Sequence, residues 1–337
     1  MRFSRFFLAA GLLAVAAPAC VRAQSPENSD SSRAPAIVVP SGIHGNGGLP
    51  AADGATSPAV AELMQFKPSD VKFNVGDLMD ILRDRRHEGW VLAAYPDPKT
   101  NRPLIGAGFS LDLPAREHLQ TDPLNPHLFL EPSSAELWQA AGLEPARLDG
   151  ILSEYSQRMD TWTIRQFRKQ LRSLPAQISD EEANGLLRVA IIQSIYNARA
   201  YCRHFDELSA SQQMAMSQLV YQMGVNLAEF TQFLGLINRE EISEARSADA
   251  QYWHTVQLSL TQSQWARLYR ARAVAVIAML NPSYDENPPG AERKVSAVLH
   301  PPAHNGRASR SASRRTARYK TSHTSKSHHA RPRTRKE

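Results

Sequence analysis

Residues 87–110, HEGWVLAAYPDPKTNRPLIGAGFS, combine a Glu-Gly pair, a Tyr-x-Asp and a Gly-x-Gly turn in one short stretch. Glu88 is followed by Gly89, and a glycine after a helix allows the left-handed backbone that turns the chain away. We therefore predict a helix that ends at Glu88 and Gly89. Asp97 lies between two prolines, which prevent a helix and favour an extended turn. The run LIGAG at residues 104–108 predicts a short strand whose glycines permit close approach of the backbone.

Two carboxylates on neighbouring rigid elements suit the cleavage of a glycosidic bond. One carboxylic acid protonates the leaving oxygen, and the other group handles the developing cation or the attacking water. Glu88 is the candidate acid, and an acid in this role must be partly desolvated so that its pKa rises toward neutrality. The structural alternatives are that Glu88 is a solvated charge at a helix end and that Asp97 only forms a turn.

This stretch resembles the signature of the phage-type lysozymes, glycoside hydrolase family 24. In that family a catalytic Glu-Gly is followed by Tyr-x-Asp and then by Thr-Ile-Gly-x-Gly-His. The matching residues here are Glu88, Gly89, Tyr95, Asp97, Ile105, Gly106 and Gly108. The resemblance implies that Glu88 is the general acid and that Asp97 assists the water or the cation.

Later segments match the same family in the same order. Ser179 and Glu182 form a capping box ahead of a long apolar-periodic run, which predicts a helix of about five turns. The phage enzymes start the helix that links their two lobes with a similar Ile-Thr-x-Asp-Glu-Ala. Ser209-x-x-Gln212 predicts a second cap, and the AMSQLVYQMG that follows resembles the family's Leu-Ile-x-Met-Val-Phe-Gln-Met-Gly. The remaining counterparts are Phe230, Thr231 and Trp253.

The resemblance covers about residues 75–280 and implies a mainly α (α+β) fold. The expected domain is lysozyme-like and two-lobed, with a small β-hairpin region and a helical C-terminal lobe. We assign it residues 61–285. Within it, residues 111–177 contain an insertion of about forty residues relative to the phage enzymes. The aromatic residues of this insertion are expected in the core or in the wall of a cleft.

The resemblance also implies sugar contacts, in addition to the two carboxylates. The expected substrate-binding residues are Tyr95, Gly108, Ser110, Tyr221, Gln222 and Phe233. An aromatic ring and an amide at Tyr221 and Gln222 suit a saccharide, although helix packing is the alternative for Tyr221. Arg270 is the expected partner of Glu88, with Arg267 and Arg272 as competing assignments. Trp253 and Cys202 are expected to be buried structural residues.

Two positions depart from the family pattern, because its threonine falls on Leu104 and its histidine on Phe109. An inverting glycosidase holds a water on the far face of the sugar ring with a polar group, and leucine cannot hydrogen-bond that water. Asp97, Thr100 and Ser110 are candidates to replace the missing hydroxyl. The alternative is that the fold has kept its cleft and lost turnover.

The first sixty residues predict export followed by a spacer. Arg2 and Arg5 precede a short apolar run, and residues 21–23, VRA, form an acceptable signal-peptidase site, so we assign residues 1–23 to a signal peptide. The product is then secreted or periplasmic, with a lipid anchor at Cys20 as the less favoured alternative. After cleavage only Cys202 remains, which excludes an internal disulfide. Residues 24–60 are rich in Ser, Pro, Ala and Gly and predict a flexible linker.

A basic tail produces the net charge of the chain. Residues 291–337 hold 13 of the 39 Lys and Arg residues but only two acidic residues, which leaves 26 basic and 31 acidic residues elsewhere. We predict that residues 286–337 are disordered and bind anionic envelope polymers, with a solubilising role as the alternative and nucleic acid as a weaker candidate.

These observations together predict an exported, monomeric lysozyme that acts on peptidoglycan without a metal or a cofactor. The first rival is a non-catalytic peptidoglycan-binding protein on the same scaffold, tethered to the envelope by its tail. The second is an anionic-polymer binder that acts through the tail alone, so that deletion of residues 286–337 abolishes all function.

Overall fold

A computed structural model describes residues 57–84, 89–239 and 249–300 of the 337-residue chain. These residues form a mainly helical fold with a small antiparallel sheet, which confirms the predicted fold class. The predicted signal peptide, the candidate acid Glu88 and residues 301–337 of the tail lie outside the described residues. Within the described ranges, no helix has the length and apolar character needed to cross a membrane.

The sheet has the order β1-β2-β3. Its strands are β1 (Val91–Pro96), β2 (Pro103–Gly106) and β3 (Phe109–Ser110). The helices before the centre of the chain are α1 (Pro58–Leu63), α2 (Val75–Arg83), α3 (Ser134–Ala140), α4 (Pro145–Thr161) and α5 (Ile164–Gln170). The later helices are α6 (Asp180–Tyr201), α7 (Ala210–Met223), α8 (Thr231–Ile237), α9 (Ala250–Thr261), α10 (Gln264–Leu268), α11 (Arg270–Met279) and α12 (Pro288–Leu299).

Helix α6 joins two hydrophobic cores. The predicted capping box starts it, because the Ser179 hydroxyl accepts from the Glu182 amide at 3.2 Å and the Glu182 carboxylate accepts from the Ser179 amide at 2.6 Å. One face of the helix contributes Ile191 and Ile195 to the larger core with α7 and α11. The opposite face contributes Leu186 to the smaller core with the sheet and the insertion. Each such side chain contributes about 1.5–3 kcal/mol through burial.

Buried glutamines complete the larger core at the end of α11. The last carbonyls of a helix have no partner within the helix and must be satisfied from outside. The Gln212 side chain of α7 donates to the Leu280 carbonyl at 3.2 Å, and the Gln257 side chain of α9 donates to the Ile277 carbonyl at 2.8 Å. The predicted cap of α7 is present as well, with Ser209 and Gln212 bonded reciprocally.

The sheet follows the predicted strand and turn. Leu104 in β2 lies opposite Tyr95 in β1 and opposite Ser110 in β3. The chain then reverses at Ala107, between Gly106 with φ +63° and Gly108 with φ +87°. Because both glycines adopt the left-handed region, the tight turn explains them better than the close backbone approach that we predicted.

Helix α2 ends earlier than predicted. The Asn74 side chain caps its start, but the helix stops at Arg83, where Asp84 has an extended backbone with φ −64° and ψ 139°. The prediction that this helix reaches Glu88 is therefore wrong. Gly89 has φ +84°, and its amide donates to the Asp84 carbonyl at 3.2 Å.

The folded region extends beyond both predicted boundaries. Helix α1 lies partly in the predicted linker, and it buries Val60 and Leu63. Helix α12 lies in the predicted tail, and it buries Ala291 and Val295 against the larger core. Ala291 and Val295 are four residues apart, a spacing typical of one face of a helix. The prediction of disorder relied on the basic composition of the tail and overlooked this spacing.

The insertion contains the helices α3, α4 and α5. Trp162 has an extended backbone and ends α4 before α5 begins. Trp138 and Phe167 are fully buried in the smaller core, as expected for the aromatic residues of this region.

Candidate functional site

A groove of about 440 Å³ brings together four parts of the chain. We name its sides by the elements that contribute them. The hairpin wall consists of Thr100, Arg102, Gly108, Phe109 and Ser110. The α6 wall consists of Ala190, Gln193, Ser194 and Asn197. The α7 wall consists of Val220, Tyr221, Gln222, Met223, Gly224, Val225 and Asn226. The insertion wall consists of Leu113, Pro114, Arg116, Glu131, Pro132, Ser134 and Leu137.

Four of the predicted sugar contacts lie in this lining: Gly108, Ser110, Tyr221 and Gln222. The Tyr221 hydroxyl donates to the Ala107 carbonyl at 2.8 Å and so ties the α7 wall to the hairpin turn. Gln222 differs, because its Oε1 and Nε2 atoms are shielded from solvent and have no hydrogen-bond partner among the described residues. A shielded amide without partners costs free energy, and a bound ligand or water is the usual explanation.

Asp97 forms the turn between β1 and β2, and this turn carries the groove residue Thr100. Its Oδ1 atom accepts from the amides of Lys99 at 2.6 Å and Thr100 at 2.8 Å. Asp97 is absent from the described groove lining, whereas Thr100 and Ser110 belong to it. Asp97 therefore forms a turn, which was the alternative to a catalytic role for this residue. Of the three residues predicted to hold a water in place of a hydroxyl at position 104, the two that line the groove are Thr100 and Ser110.

The insertion holds this turn from the other side. The Tyr155 hydroxyl, on α4, donates to the Asn101 carbonyl at 2.6 Å, and Asn101 has the left-handed φ of +60°. Burial, together with the negative charges of Asp112 and Asp97, raises the pKa of Tyr155 to about 12, so its hydroxyl stays protonated as a donor. The sequence carried no local signal for this contact, because its partners lie 54 positions apart.

The three candidate partner arginines differ in exposure. Arg267 and Arg270 are exposed, whereas Arg272 is half-buried with its guanidinium 5.4 Å from the centre of the Tyr269 ring. The same ring lies 5.2 Å from the Lys99 ammonium of the hairpin turn. Arg272 and the hairpin residue Lys99 therefore both contact the Tyr269 ring, whereas the predicted pairing of Arg270 with Glu88 lies outside the described residues.

Two predicted sugar contacts lie elsewhere. Phe233 is 1% exposed and packs in the larger core, so the structure corrects its assignment to the cleft surface. Tyr95 is half-buried against the smaller core and is not among the described groove residues, which fits a bracing role. Trp253 and Cys202 are buried as predicted, and burial raises the pKa of the Cys202 thiol to about 12, which leaves it unreactive.

The insertion wall holds a carboxyl group that the sequence did not single out. Glu131 is half-buried in the groove, and its Oε1 atom accepts from the Asn197 side chain at 3.1 Å. Burial raises the pKa of Glu131, and the positive charge of Arg116 partly opposes that rise. A carboxyl group with a raised pKa in a groove is a recognised feature of functional sites.

A larger cavity of about 710 Å³ lies elsewhere on the domain. Charged and polar side chains line much of it, including Asp70, Lys72, Arg199 and Asp206. It contains none of the predicted site residues, and its cations already have partners: Arg199 pairs with Asp206, and Lys72 donates to the Leu208 carbonyl at 2.8 Å. The smaller groove is therefore the candidate site.

No family model, no curated protein and no solved structure matches this chain.

Proposed function

We propose that the chain is an exported peptidoglycan hydrolase that cleaves the β-1,4 bond between N-acetylmuramic acid and N-acetylglucosamine. Glu88 acts as the general acid, and the groove holds the glycan. The observation that carries this proposal is Gln222, a residue of the groove lining whose shielded side-chain amide has no hydrogen-bond partner among the described residues. The lysozyme resemblance implies a sugar contact at this same position.

The lining of the groove suits an amino sugar. An amide offers two donors and an acceptor, which match the hydroxyl and acetamido groups of such a ring. Tyr221 adds an aromatic surface beside Gln222, and aromatic rings pack well against apolar sugar faces. A volume of about 440 Å³ lies within the range of small-ligand sites.

The chemistry requires a proton donor and a held water. In the proposed mechanism Glu88 donates its proton to the leaving glycosidic oxygen. Thr100 and Ser110 present hydroxyl groups in the hairpin wall, and one of them holds the water in place of the family threonine. Asp97 contributes by shaping the turn that carries Thr100, because its carboxylate binds the Thr100 amide.

The decisive experiment removes the proposed acid. The purified full chain is incubated with peptidoglycan, and the release of reducing ends is measured for the wild type and for Glu88→Gln. We expect the substitution to lower kcat by about 10²–10⁴-fold, the usual contribution of a general acid. Glu286→Gln, at an exposed position, is the matched control and should behave as the wild type. Equal rates for Glu88→Gln and the wild type would refute the proposal.

A second candidate is a peptidoglycan-binding protein without turnover. Two observations favour it: Leu104 occupies the position of the family threonine, and Asp97 uses its carboxylate to form a turn. This candidate predicts that the wild type sediments with insoluble peptidoglycan but releases no reducing ends. The same assay therefore separates the two functions.

A further inference from the structure

We infer that Glu131 is a substrate-contacting residue, whose carboxyl group accepts hydrogen bonds from the hydroxyl or amide groups of a glycan in the groove. The identity of the ligand rests on the proposed function. The contact itself follows from the placement of Glu131, which belongs to the insertion and is not part of any of the lysozyme motifs.

Glu131 is held in place before any ligand binds. Asn197 of α6 is 3% exposed and donates to the Glu131 Oε1 atom at 3.1 Å. The same Asn197 side chain accepts from the Leu130 amide at 2.8 Å and donates to the Leu130 carbonyl at 3.2 Å. On the other side, the Glu131 carbonyl accepts from the Arg116 amide at 2.9 Å. An acceptor fixed in this way loses little conformational freedom when it binds a ligand.

The fold does not use the charge of Glu131. Among the described residues Glu131 belongs to no ion pair, although Arg116 is close enough to influence its protonation. The bond from Asn197 needs only a carbonyl-type oxygen, which glutamine also provides. A half-buried carboxyl carries a desolvation cost, so a neutral side chain would serve the fold better.

The surroundings of Glu131 favour an uncharged, hydroxyl-rich ligand. Gln193, Ser194 and Asn197 are the polar residues of the α6 wall in the same groove, and Asn197 contacts Glu131 directly. Hydrogen bonds from hydroxyl or amide groups to a carboxylate are charge-assisted and stronger than bonds to a neutral oxygen. The insertion thereby adds a polar contact to the groove that Gln222 also lines.

The test compares Glu131→Gln with the wild type in the purified full chain. Two quantities are measured: KM and kcat for the release of reducing ends from peptidoglycan, and Kd for the β-1,4 tetramer of N-acetylglucosamine by calorimetry. We expect KM and Kd to rise about threefold to tenfold, because a charge-assisted bond becomes a neutral one. We expect kcat to change less than about twofold, as for an interaction made equally in the ground and transition states.

Glu117→Gln is the matched control, since Glu117 is exposed on the same segment and does not line the groove. It should leave KM, kcat and Kd unchanged. The thermal midpoint of Glu131→Gln should equal or exceed that of the wild type, because glutamine keeps the acceptor for Asn197 and avoids burying a charge. A lower midpoint with unchanged KM and Kd would assign Glu131 to the fold alone and overturn the inference.

The remaining outcomes separate this inference from the proposed function. An active wild type with unchanged KM and Kd in Glu131→Gln overturns the contact and leaves the hydrolase proposal intact. A fall in kcat at constant KM also overturns it, since the group would then act in the chemical step. A wild type that neither binds the tetramer nor cleaves peptidoglycan refutes the proposed function and the glycan contact together.

Discussion

The α7 wall and the insertion wall line the same groove but are held by different kinds of contact. Helix α7 begins at a local capping box and packs through residues such as Met216 and Leu219, spaced along its own sequence. Residues 111–133 of the insertion contain no helix or strand and are held by side chains of α6. The Leu130 amide, for example, bonds to Asn197 across 67 positions. Local patterns therefore specify one wall, and long-range polar contacts specify the other.

The two walls also use their amide side chains differently. Asn197 has both its oxygen and its nitrogen engaged by the insertion. Gln222 has neither engaged among the described residues. We therefore expect Asn197 to contribute mainly to stability and Gln222 mainly to ligand binding.

Asn197→Ala should have the largest effect on stability. The substitution removes the partner of the Leu130 amide and carbonyl and of Glu131, so we expect the free energy of unfolding to fall by about 3 kcal/mol. Denaturant unfolding measures this value. Asn226→Ala, at an exposed position of the α7 wall, should change it by less than about 0.5 kcal/mol. Equal losses in the two variants would mean that Asn197 does not anchor the insertion.

Gln222→Leu should separate binding from stability. Because the Gln222 amide has no partner among the described residues, its replacement should leave the free energy of unfolding unchanged or raise it by about 1 kcal/mol. KM for peptidoglycan should rise about tenfold, because the substitution removes one or two hydrogen bonds to the ligand. Gln218→Leu is the control, since Gln218 is buried one turn earlier on α7 and is absent from the groove lining. A similar KM rise in both variants would contradict a specific role for Gln222.

Tyr221→Phe should have a smaller effect on the same wall. It removes the bond from the Tyr221 hydroxyl to the Ala107 carbonyl, which should lower the free energy of unfolding by about 1 kcal/mol. Tyr196→Phe removes a comparable bond to the Glu62 carbonyl away from the groove. We expect similar stability losses but a raised KM only for Tyr221→Phe. Unchanged KM in Tyr221→Phe would show that the hairpin turn is positioned without this bond.

The smallest expected effect is a pH dependence from Glu131. Its pKa is raised, so the folded state binds this proton more tightly than the unfolded chain. Its contribution to stability therefore falls as the pH rises from the usual carboxyl range through the raised pKa. Arg116 and Tyr201 are the described groups that interact electrostatically with Glu131. Burial is the main cause that raises the pKa of Tyr201, so Tyr201 stays neutral in the pH range where Glu131 titrates.

Unfolding curves of the wild type and Glu131→Gln across this window measure the difference. The stability of Glu131→Gln relative to the wild type should increase with pH. The affinity of the wild type for the N-acetylglucosamine tetramer should increase over the same window, because the charged carboxylate is the stronger acceptor. A wild-type affinity that falls with pH would indicate that the protonated carboxyl binds the sugar.

Sequence patterns predicted well where the determining contacts are local. The capping boxes of α6 and α7 and the short strand at Leu104 follow from residues a few positions apart. Helix ends were less predictable, because Asp84 leaves the helical conformation without a glycine or a proline to signal it. The tail boundary was missed because basic composition outweighed the spacing of Ala291 and Val295 in α12.

The residues of the candidate site also differ in how well the sequence predicted them. Tyr221 and Gln222 were predicted from the sequence because they lie within a recognisable helix motif, and both line the groove. Glu131 and Tyr155 were missed because each acts through a partner more than fifty positions away. Phe233 was misplaced, since an aromatic residue after a helix can face a cleft or a core, and only the packing of α8 decides between them.

The sequence by itself determined the mainly helical class, the central capped helix and the residues that close the hairpin turn. These depend on backbone preferences and on side chains within one or two turns of each other. The tertiary structure alone decided which polar groups meet in the groove and which are left without partners. Those properties depend on desolvation and hydrogen-bond satisfaction among distant segments, which no local pattern encodes.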